Sequence, residues 1–319
     1  YGIPGKGSAF RTIFEIAKEL NVKACAVVDS DLRSITPEWL DLLLRPILKG
    51  YDFVAPYYLR HKYDGTITNS LVYPLTRALY GLRIRQPIGG DFGFSGTLAK
   101  FYLTKDVWES DIARFGIDIW MTTTAVANGF KVCQSFLGAK IHDPKEPSAD
   151  LSEMLHQVSS VVFELMDTYE TVWKGIKGSS PTEIFGFYYD VGVEPVHVDL
   201  ERMIDKFILG RKELSSIWET FISKDIIDVL KSLPSRPWED FRLPDEIWAE
   251  IVYSFAIAAH KKILNKKHLL TSLTPLYLGR TASFIVETLN STPKEVEEKI
   301  ENLCLVFERK KDFLIENWT

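Results

Sequence analysis

Two acids separated by one residue, Asp29 and Asp31 in Val27-Val28-Asp29-Ser30-Asp31-Leu32, follow directly on the apolar run Ala24-Cys25-Ala26-Val27-Val28. A short apolar run of this kind reads as a buried strand, which puts both carboxylates at its carboxyl end, where open α/β sheets bind their ligands. Two hard oxygen donors at a sheet edge suit a divalent cation holding a diphosphate. The same triplet also suits a solvated turn, since Asp and Ser favour turns. Its meaning depends on what else the chain brings to that edge.

Four further features carry groups of matching chemistry. Gly5-Lys6-Gly7-Ser8 precedes a helical pattern, so a helix N-terminus and an ammonium group stand ready for a phosphate or sugar, although the spacing is not that of a P-loop. Gln86-Pro87-Ile88-Gly89-Gly90-Asp91-Phe92-Gly93-Phe94-Ser95 is a glycine-rich turn that lets a ligand approach backbone closely, or simply connects core elements tightly. Asp118, in Phe115-Gly116-Ile117-Asp118-Ile119-Trp120, is an acid among apolar residues at a helix start, where capping is the ordinary role. His142 ends the strand-like segment Ala139-Lys140-Ile141-His142 and could join Asp29 and Asp31 as a metal ligand.

These groups need a scaffold. Residues 8–20 read as a helix through Phe10, Ile13, Phe14, Ile16, Ala17 and Leu20, and the strand at 24–28 follows. Thr36 as N-cap and Pro37 at the first helical position start a second helix that runs through Leu40, Leu43, Leu44 and Ile47 to Gly50. Phe53-Val54-Ala55 reads as a strand ended by Pro56. The alternation predicts an α/β layer architecture with a mainly parallel sheet. From about Leu151 the pattern changes to helical stripes. Leu151, Met154, Val158, Val161, Leu165 and Tyr169 form one, Trp248, Ile251, Val252, Phe255, Ala259 and Ile263 another, and Met203, Ile204, Phe207, Ile208, Leu214, Ile217 and Trp218 lie between them. Breaks fall at Gly178-Ser179-Ser180-Pro181 and over 232–237. The expected organisation is an α/β domain over 1–150 and a mostly helical domain over 151–319, two domains being usual for this length.

Composition narrows the class without naming a ligand. A net charge of -5 gives no general electrostatic reason to expect nucleic acid. Cys25, Cys133 and Cys304 are far apart and none has metal spacing, which fits a reducing compartment better than a disulfide framework. No apolar stretch reaches the ~18 residues of a membrane span and no signal peptide is visible, so a cytoplasmic protein is expected. The chain opens Tyr1-Gly2-Ile3-Pro4, without an initiator Met, and its first recognisable strand already bears the acidic pair; it reads as the middle of a domain. Exposed apolar faces in the helical half are compatible with a homo-oligomer.

Taken in order, Gly5-Lys6-Gly7, Asp29-Ser30-Asp31, Gln86-Pro87-Ile88-Gly89-Gly90-Asp91, Gly116-Ile117-Asp118 and His142 resemble the retaining GT-A glycosyltransferases that make mannosylglycerate, and the related glucosyl-3-phosphoglycerate synthases. The resemblance covers Tyr1 to about Asp143 and, more loosely, the helical second half. It implies a GT-A, Rossmann-like nucleotide-diphospho-sugar transferase domain without its first nucleotide-binding unit. It also implies a UDP- or GDP-linked glucose or mannose donor, and transfer with retained configuration. Asp31 and His142 would hold a divalent metal, Mg²⁺ or Mn²⁺. Asp29 would contact the donor ribose or the metal shell, with Lys6 near the donor. Ile88, Gly89, Gly90 and Asp91 would floor the sugar site, with the Asp91 carboxylate on its hydroxyls, and Asp118 would sit beside the reaction centre.

For the acceptor, Arg60, Asp64 and Thr68 stand at the spacing that mannosylglycerate synthase uses for its small hydroxy acid, and a guanidinium suits a carboxylate clamp. The phosphoglycerate enzymes place an arginine where this chain has Thr66, which argues for D-glycerate. Transfer to another small acceptor or to 3-phosphoglycerate, with Lys62 or His61 supplying the cation, and a catalytically silent sugar-nucleotide-binding or assembly module are the alternatives. Asp91 stands where the family usually has glutamate, one methylene shorter.

Overall fold

The computed structural model describes residues 3–141, 151–189 and 191–319. In chain order these form α1 (Lys6–Glu19), β1 (Ala24–Val27), α2 (Pro37–Leu48), β2 (Phe53–Leu59), α3 (Tyr73–Tyr80), β3 (Leu82–Arg83), β4 (Phe92–Ser95), α4 (Gly96–Tyr102), α5 (Ile117–Ala127), β5 (Val132–Ala139), α6 (Ser152–Thr168), α7 (Glu170–Gly175), β6 (Ser180–Pro181), β7 (Ile184–Phe185), α8 (Leu200–Trp218), α9 (Lys224–Ser232), α10 (Asp245–His260), α11 (Lys266–Thr288), α12 (Pro293–Arg309) and α13 (Lys311–Trp318). They group into two compact units. The first comprises the described residues of Tyr1–His61, Tyr80–Pro144 and Ser160–Pro195, the second those of Lys62–Leu79, Lys145–Ser159 and Val196–Thr319.

The first unit is built on a mixed sheet of order β1-β4-β2-β5-β7. Strand β4 runs antiparallel to both β1 and β2, whereas β5 is parallel to β2 and to β7. Four of the five strands run in one sense, as the expected mainly parallel sheet requires, and β4 is reversed; the sequence does not reveal this, because a strand that returns from a glycine-rich turn carries the same apolar signature whichever way it runs. The consequence for function is direct. Because β1, β2 and β5 share one direction and β4 opposes them, residues just after β1, β2 and β5 and just before β4 meet at one edge.

Strand β2 continues through Pro56 to Leu59 instead of ending at Ala55. Only Phe53 and Val54 pair with β4, so Pro56 lies past that ladder and its missing N–H removes no bond there. The segment beyond Gly178 also departs from the helical expectation. It forms β6, paired with β3, and β7, which joins the sheet beside β5 through just Gln134↔Ile184 and Ser135↔Phe185. Two paired residues are too few to leave a readable period. On one face of the sheet Trp39, Leu43 and Ile47 of α2 pack on Val54, Tyr58, Cys133 and Leu137. Phe14 of α1 meets Phe94 edge to face at 5.2 Å. Helix α1 begins at Lys6, not Ser8, because its first turn lies against the 111–113 segment: a Cβ on Gly7 would sit 2.0 Å from the Ile112 carbonyl oxygen.

The second unit is helical. Trp248, Ile251, Val252 and Phe255 are fully buried, and α10 is apolar almost all round, the signature of a helix enclosed by others. Helix α8 meets α11 where Gly210 faces Pro275, a Cβ on Gly210 falling 2.2 Å from the proline ring. The Thr292–Glu295 capping box starts α12. A π-helical turn at Thr68–Val72 leads into α3, and Trp248 Nε1 donates to the Ser70 carbonyl at 2.6 Å. Among the described residues no helix is long and apolar enough to cross a membrane.

Candidate active site

The common edge of the first unit's sheet gathers charged side chains from distant segments. Asp29 follows β1, Asp91 precedes β4, Tyr58 lies near the end of β2, Lys140 follows β5, and Lys6 is the first residue of α1. Lys6 Nζ stands 2.9 Å from Asp29 Oδ1 and 3.0 Å from Asp118 Oδ2. Lys140 Nζ stands 3.0 Å from Asp29 Oδ2 and 2.9 Å from Asp91 Oδ2, and donates to the Gly89 carbonyl at 2.7 Å. Asp91 Oδ1 accepts the Asp29 backbone N–H at 2.7 Å, while the Tyr58 hydroxyl donates to Asp91 Oδ2. Gln86 Nε2 donates to the Tyr58 carbonyl at 3.0 Å. The result is one continuous polar chain: Asp118, Lys6, Asp29, Lys140, Asp91, Tyr58.

Burial and charge act against each other along this chain. Burial opposes ionisation of Asp29, but Lys140 and Lys6 outweigh it and hold the carboxyl at about 2. Burial alone would lower the Lys6 ammonium; Asp118 and Asp29 reverse that and leave it above the ordinary lysine range. Asp118 goes the other way. Burial raises its carboxyl despite the opposing Lys6, and Asp29 adds to the rise. Burial, then the neighbouring Asp91, pushes the Tyr58 phenol well up, so it stays a neutral donor. One oxygen of Asp118, Oδ1, is buried without a hydrogen-bond partner, an acceptor that a substrate hydroxyl would satisfy.

Six of the residues expected from the sequence come together here: Lys6, Asp29, Gly89, Gly90, Asp91 and Asp118. Gly90 has φ +92° and its missing side chain leaves room for Asp29, since a Cβ would fall 2.1 Å from Oδ2. Ile88 is half-buried in the same turn, which Thr122 of α5 anchors by donating to the Pro87 carbonyl at 2.7 Å. Asp118 does not cap α5. Gly116 occupies the cap position without a side-chain bond, and the carboxylate turns to Lys6. Asp91, expected on sugar hydroxyls, is fully buried with three donors on its carboxylate, beneath the acidic triplet.

The remaining expected residues do not join that chain. Asp31 is exposed. His142 lies outside the described residues, and among those described no three His, Cys, Asp or Glu side chains gather to hold a metal. The preceding residue is nevertheless fixed beside the triplet: Arg33 N–H donates to the Ile141 carbonyl at 2.9 Å and Ile141 N–H to Ser34 Oγ at 3.0 Å. Asp31, exposed and unengaged by the two lysines, presents the kind of oxygen donor that hard divalent cations take. The Arg60 guanidinium lies 5.4 Å from the Tyr58 ring centre in the first unit.

Asp64 and Thr68 belong to the second unit, where the Asp64 carbonyl accepts from Asn69 Nδ2 at 3.5 Å and Thr68 is buried in the π-helical turn. There Thr66 Oγ1 lies 2.6 Å from the Tyr277 hydroxyl, and Lys62 Nζ donates to the Thr288 and Leu289 carbonyls at 2.6 and 2.9 Å, closing the C-terminal end of α11.

Sequence reasoning passed over Lys140 and Tyr58. A lysine two residues before the candidate ligand His142, on the same strand end, was the available signal for the first. Tyr58 carries none, because it lies beyond Pro56, where the sequence pattern ends the strand.

A family model described as the GT domain of mannosylglycerate synthase matches residues 2–163. No curated protein matches the chain. Among solved structures, the glucosyl-3-phosphoglycerate synthase of Mycobacterium tuberculosis in complex with Mn²⁺, UDP and glucosyl-3-phosphoglycerate is 21% identical, with TM-score 0.41, over 53% of this chain and 57% of that one. The same enzyme with Mg²⁺ and UDP is 20% identical, with TM-score 0.40, over 53% and 56%. A mycobacterial protein is 22% identical, with TM-score 0.39, over 53% of each chain. The chain thus spans little more than half the length of these solved relatives.

Proposed function

The chain belongs to the mannosylglycerate synthase family of GT domains, and from that premise we propose that it is a metal-dependent, retaining GT-A glycosyltransferase moving glucose or mannose from a UDP- or GDP-linked donor to D-glycerate. The observation that carries this reading is the charged chain at the sheet edge, in which Lys6 bridges Asp29 and Asp118 beside the exposed Asp31. Of the acidic pair, Asp29 is committed to two ammonium groups, so Asp31 is the carboxylate open to a cation. Asp31 and His142 would hold Mg²⁺ or Mn²⁺, which when bound neutralises charge on the departing diphosphate.

The chain's own groups supply the rest. Lys6, at the first turn of α1, faces the donor with an ammonium that Asp118 and Asp29 keep protonated against the effect of burial. Ile88, Gly89 and Gly90 floor the sugar site, and Asp91 supports that floor from beneath by holding the Asp29 backbone. The unpartnered oxygen of Asp118 accepts a hydroxyl at the reaction centre. With attack from the leaving-group face the departing phosphate can take the acceptor proton, so no separate base is required. Arg60 clamps the acceptor carboxylate.

One observation favours glycerate over 3-phosphoglycerate. Lys62, which could have replaced the missing arginine, spends its ammonium on the end of α11, and the Thr66 hydroxyl is held by Tyr277. The test follows nucleoside diphosphate release from UDP- and GDP-glucose and -mannose with Mn²⁺ or Mg²⁺, offered D-glycerate, 3-phosphoglycerate or no acceptor. Metal-dependent release with D-glycerate, abolished by Asp31→Ala, is expected. Release with 3-phosphoglycerate alone overturns the acceptor assignment, and silence throughout favours another acceptor or the non-catalytic binding module.

A further inference from the structure

Lys140 is a buried cation at the sheet edge of the first unit, and nothing in the transfer chemistry requires a second buried lysine there. Its side chain is 5% exposed and its ammonium reaches three segments at once: Asp29 after β1 at 3.0 Å, Asp91 before β4 at 2.9 Å, and the Gly89 carbonyl in the glycine-rich turn at 2.7 Å. It also lies 5.2 Å from the centre of the Tyr58 ring on β2. An ammonium has three protons, and these three oxygens use all of them. One residue later the backbone of Ile141 is tied on both sides to Arg33 and Ser34, beyond the acidic triplet. The end of β5 therefore grips the Asp29-Ser30-Asp31 turn from two directions.

We propose that Lys140 is a positioning residue that clasps the metal-binding turn: it neutralises the Asp29 and Asp91 carboxylates together and so fixes where Asp31 is presented. The assignment of a metal to Asp31 rests on the transferase reading; the clasp itself does not. Without the ammonium, two carboxylates that now share one cation would face each other in a buried setting, with Asp91 wholly out of water. Like charges so placed repel, and the partner nearer to water is Asp29, whose side chain is 26% exposed against 0% for Asp91. Its backbone N–H, given to Asp91 Oδ1, would open first.

The test uses K140M, K140R and K140M/D91N in the whole chain, with two readouts. Amide exchange at Asp29 reports the turn, and equilibrium Mn²⁺ binding reports what the turn presents. K140M should speed exchange at Asp29 by about tenfold or more, the equivalent of one charge-assisted hydrogen bond, while α2 and α5 keep their protection. It should weaken Mn²⁺ by roughly 10–100-fold, the usual effect of losing an outer-shell partner. K140R, which keeps the charge, should restore much of both. Should K140M fail to fold, K140M/D91N carries the same measurements, since it removes one of the two opposed carboxylates along with the ammonium and should bind Mn²⁺ more tightly than K140M wherever both fold.

Unchanged Asp29 exchange in a folded variant lacking Lys140 overturns the proposal, as does an equal loss of protection across α2 and α5. A wild-type chain that binds no Mn²⁺ but whose Asp29 exchange responds to K140M supports the clasp and counts against the metal reading alone.

Discussion

Gly90→Ala is the smallest change that tests whether the acidic turn is held as tightly as its contacts imply. The added methyl would lie 2.1 Å from Asp29 Oδ2 and 2.9 Å from its Cγ, at a residue whose φ is +92°. An ordinary carbon–oxygen contact is ~3.3 Å, so the carboxylate would have to retreat by about 1.2 Å. Asp29 is poorly placed to do so, because Lys6 and Lys140 hold its two oxygens at 2.9 and 3.0 Å and Asp91 holds its N–H. The left-handed backbone costs a residue with a side chain about 1–2 kcal/mol, and a lost charge-assisted hydrogen bond about 1.5–3 kcal/mol. Together they predict a loss of about 2.5–5 kcal/mol.

The control is Gly129→Ala, at φ +74° with nothing within 4 Å of the added Cβ, which should cost the backbone contribution of about 1–2 kcal/mol alone. Urea unfolding of both variants, with donor KM measured on the folded protein, separates strain from collision. Gly90→Ala should be the less stable by about 1.5–3 kcal/mol and should raise donor KM, whereas Gly129→Ala should leave KM at the wild-type value. Equal stabilities and an unchanged donor KM would refute the inference that Asp29 is immobilised by its two lysines.

Two titrations extend the argument. Burial raises the Asp118 carboxyl above its unfolded value, so the folded state keeps that proton longer, and stability should fall as pH rises above the ordinary aspartate range of ~3.9. Asp118→Asn should flatten that limb of the denaturation profile while abolishing transfer; an unaltered limb would contradict the burial argument. In the second unit, burial lowers Lys311 to about 8. The unfolded chain then binds the extra proton between about 8 and 10.5, so stability should climb with pH across that window. Lys311→Met should remove the climb and stabilise the chain at pH 7 by roughly 1–3 kcal/mol, measured by urea unfolding; a destabilised variant would count against it.

Much of this protein can be derived from its sequence because local pattern encodes which face of an element is buried and where the element ends. The apolar run before Asp29 put the acidic pair at a strand end, Pro37 and Gly50 bracketed α2, and the glycines of 89–90 marked a close approach of backbone to something bulky. Within the chain itself, Gly89 is approached by the Pro56 ring and Gly90 by the side chain of Asp29. The helical half was equally legible as helix, although the enclosure of α10 on every side is a property of its neighbours. Strand direction was not legible, because apolar residues read the same in either sense; only pairing with β1 and β2 reveals that β4 runs backwards and delivers Asp91 to the common edge. Ion partners were hidden for a related reason. Lys140 and Asp29 are 111 residues apart, and no period connects them. Residue types and spacing determined which groups could do chemistry, but tertiary packing alone decided that Asp29 and Asp91 would be neutralised from within while Asp31 stays open, because burial and the distance between charges exist only once the chain has folded.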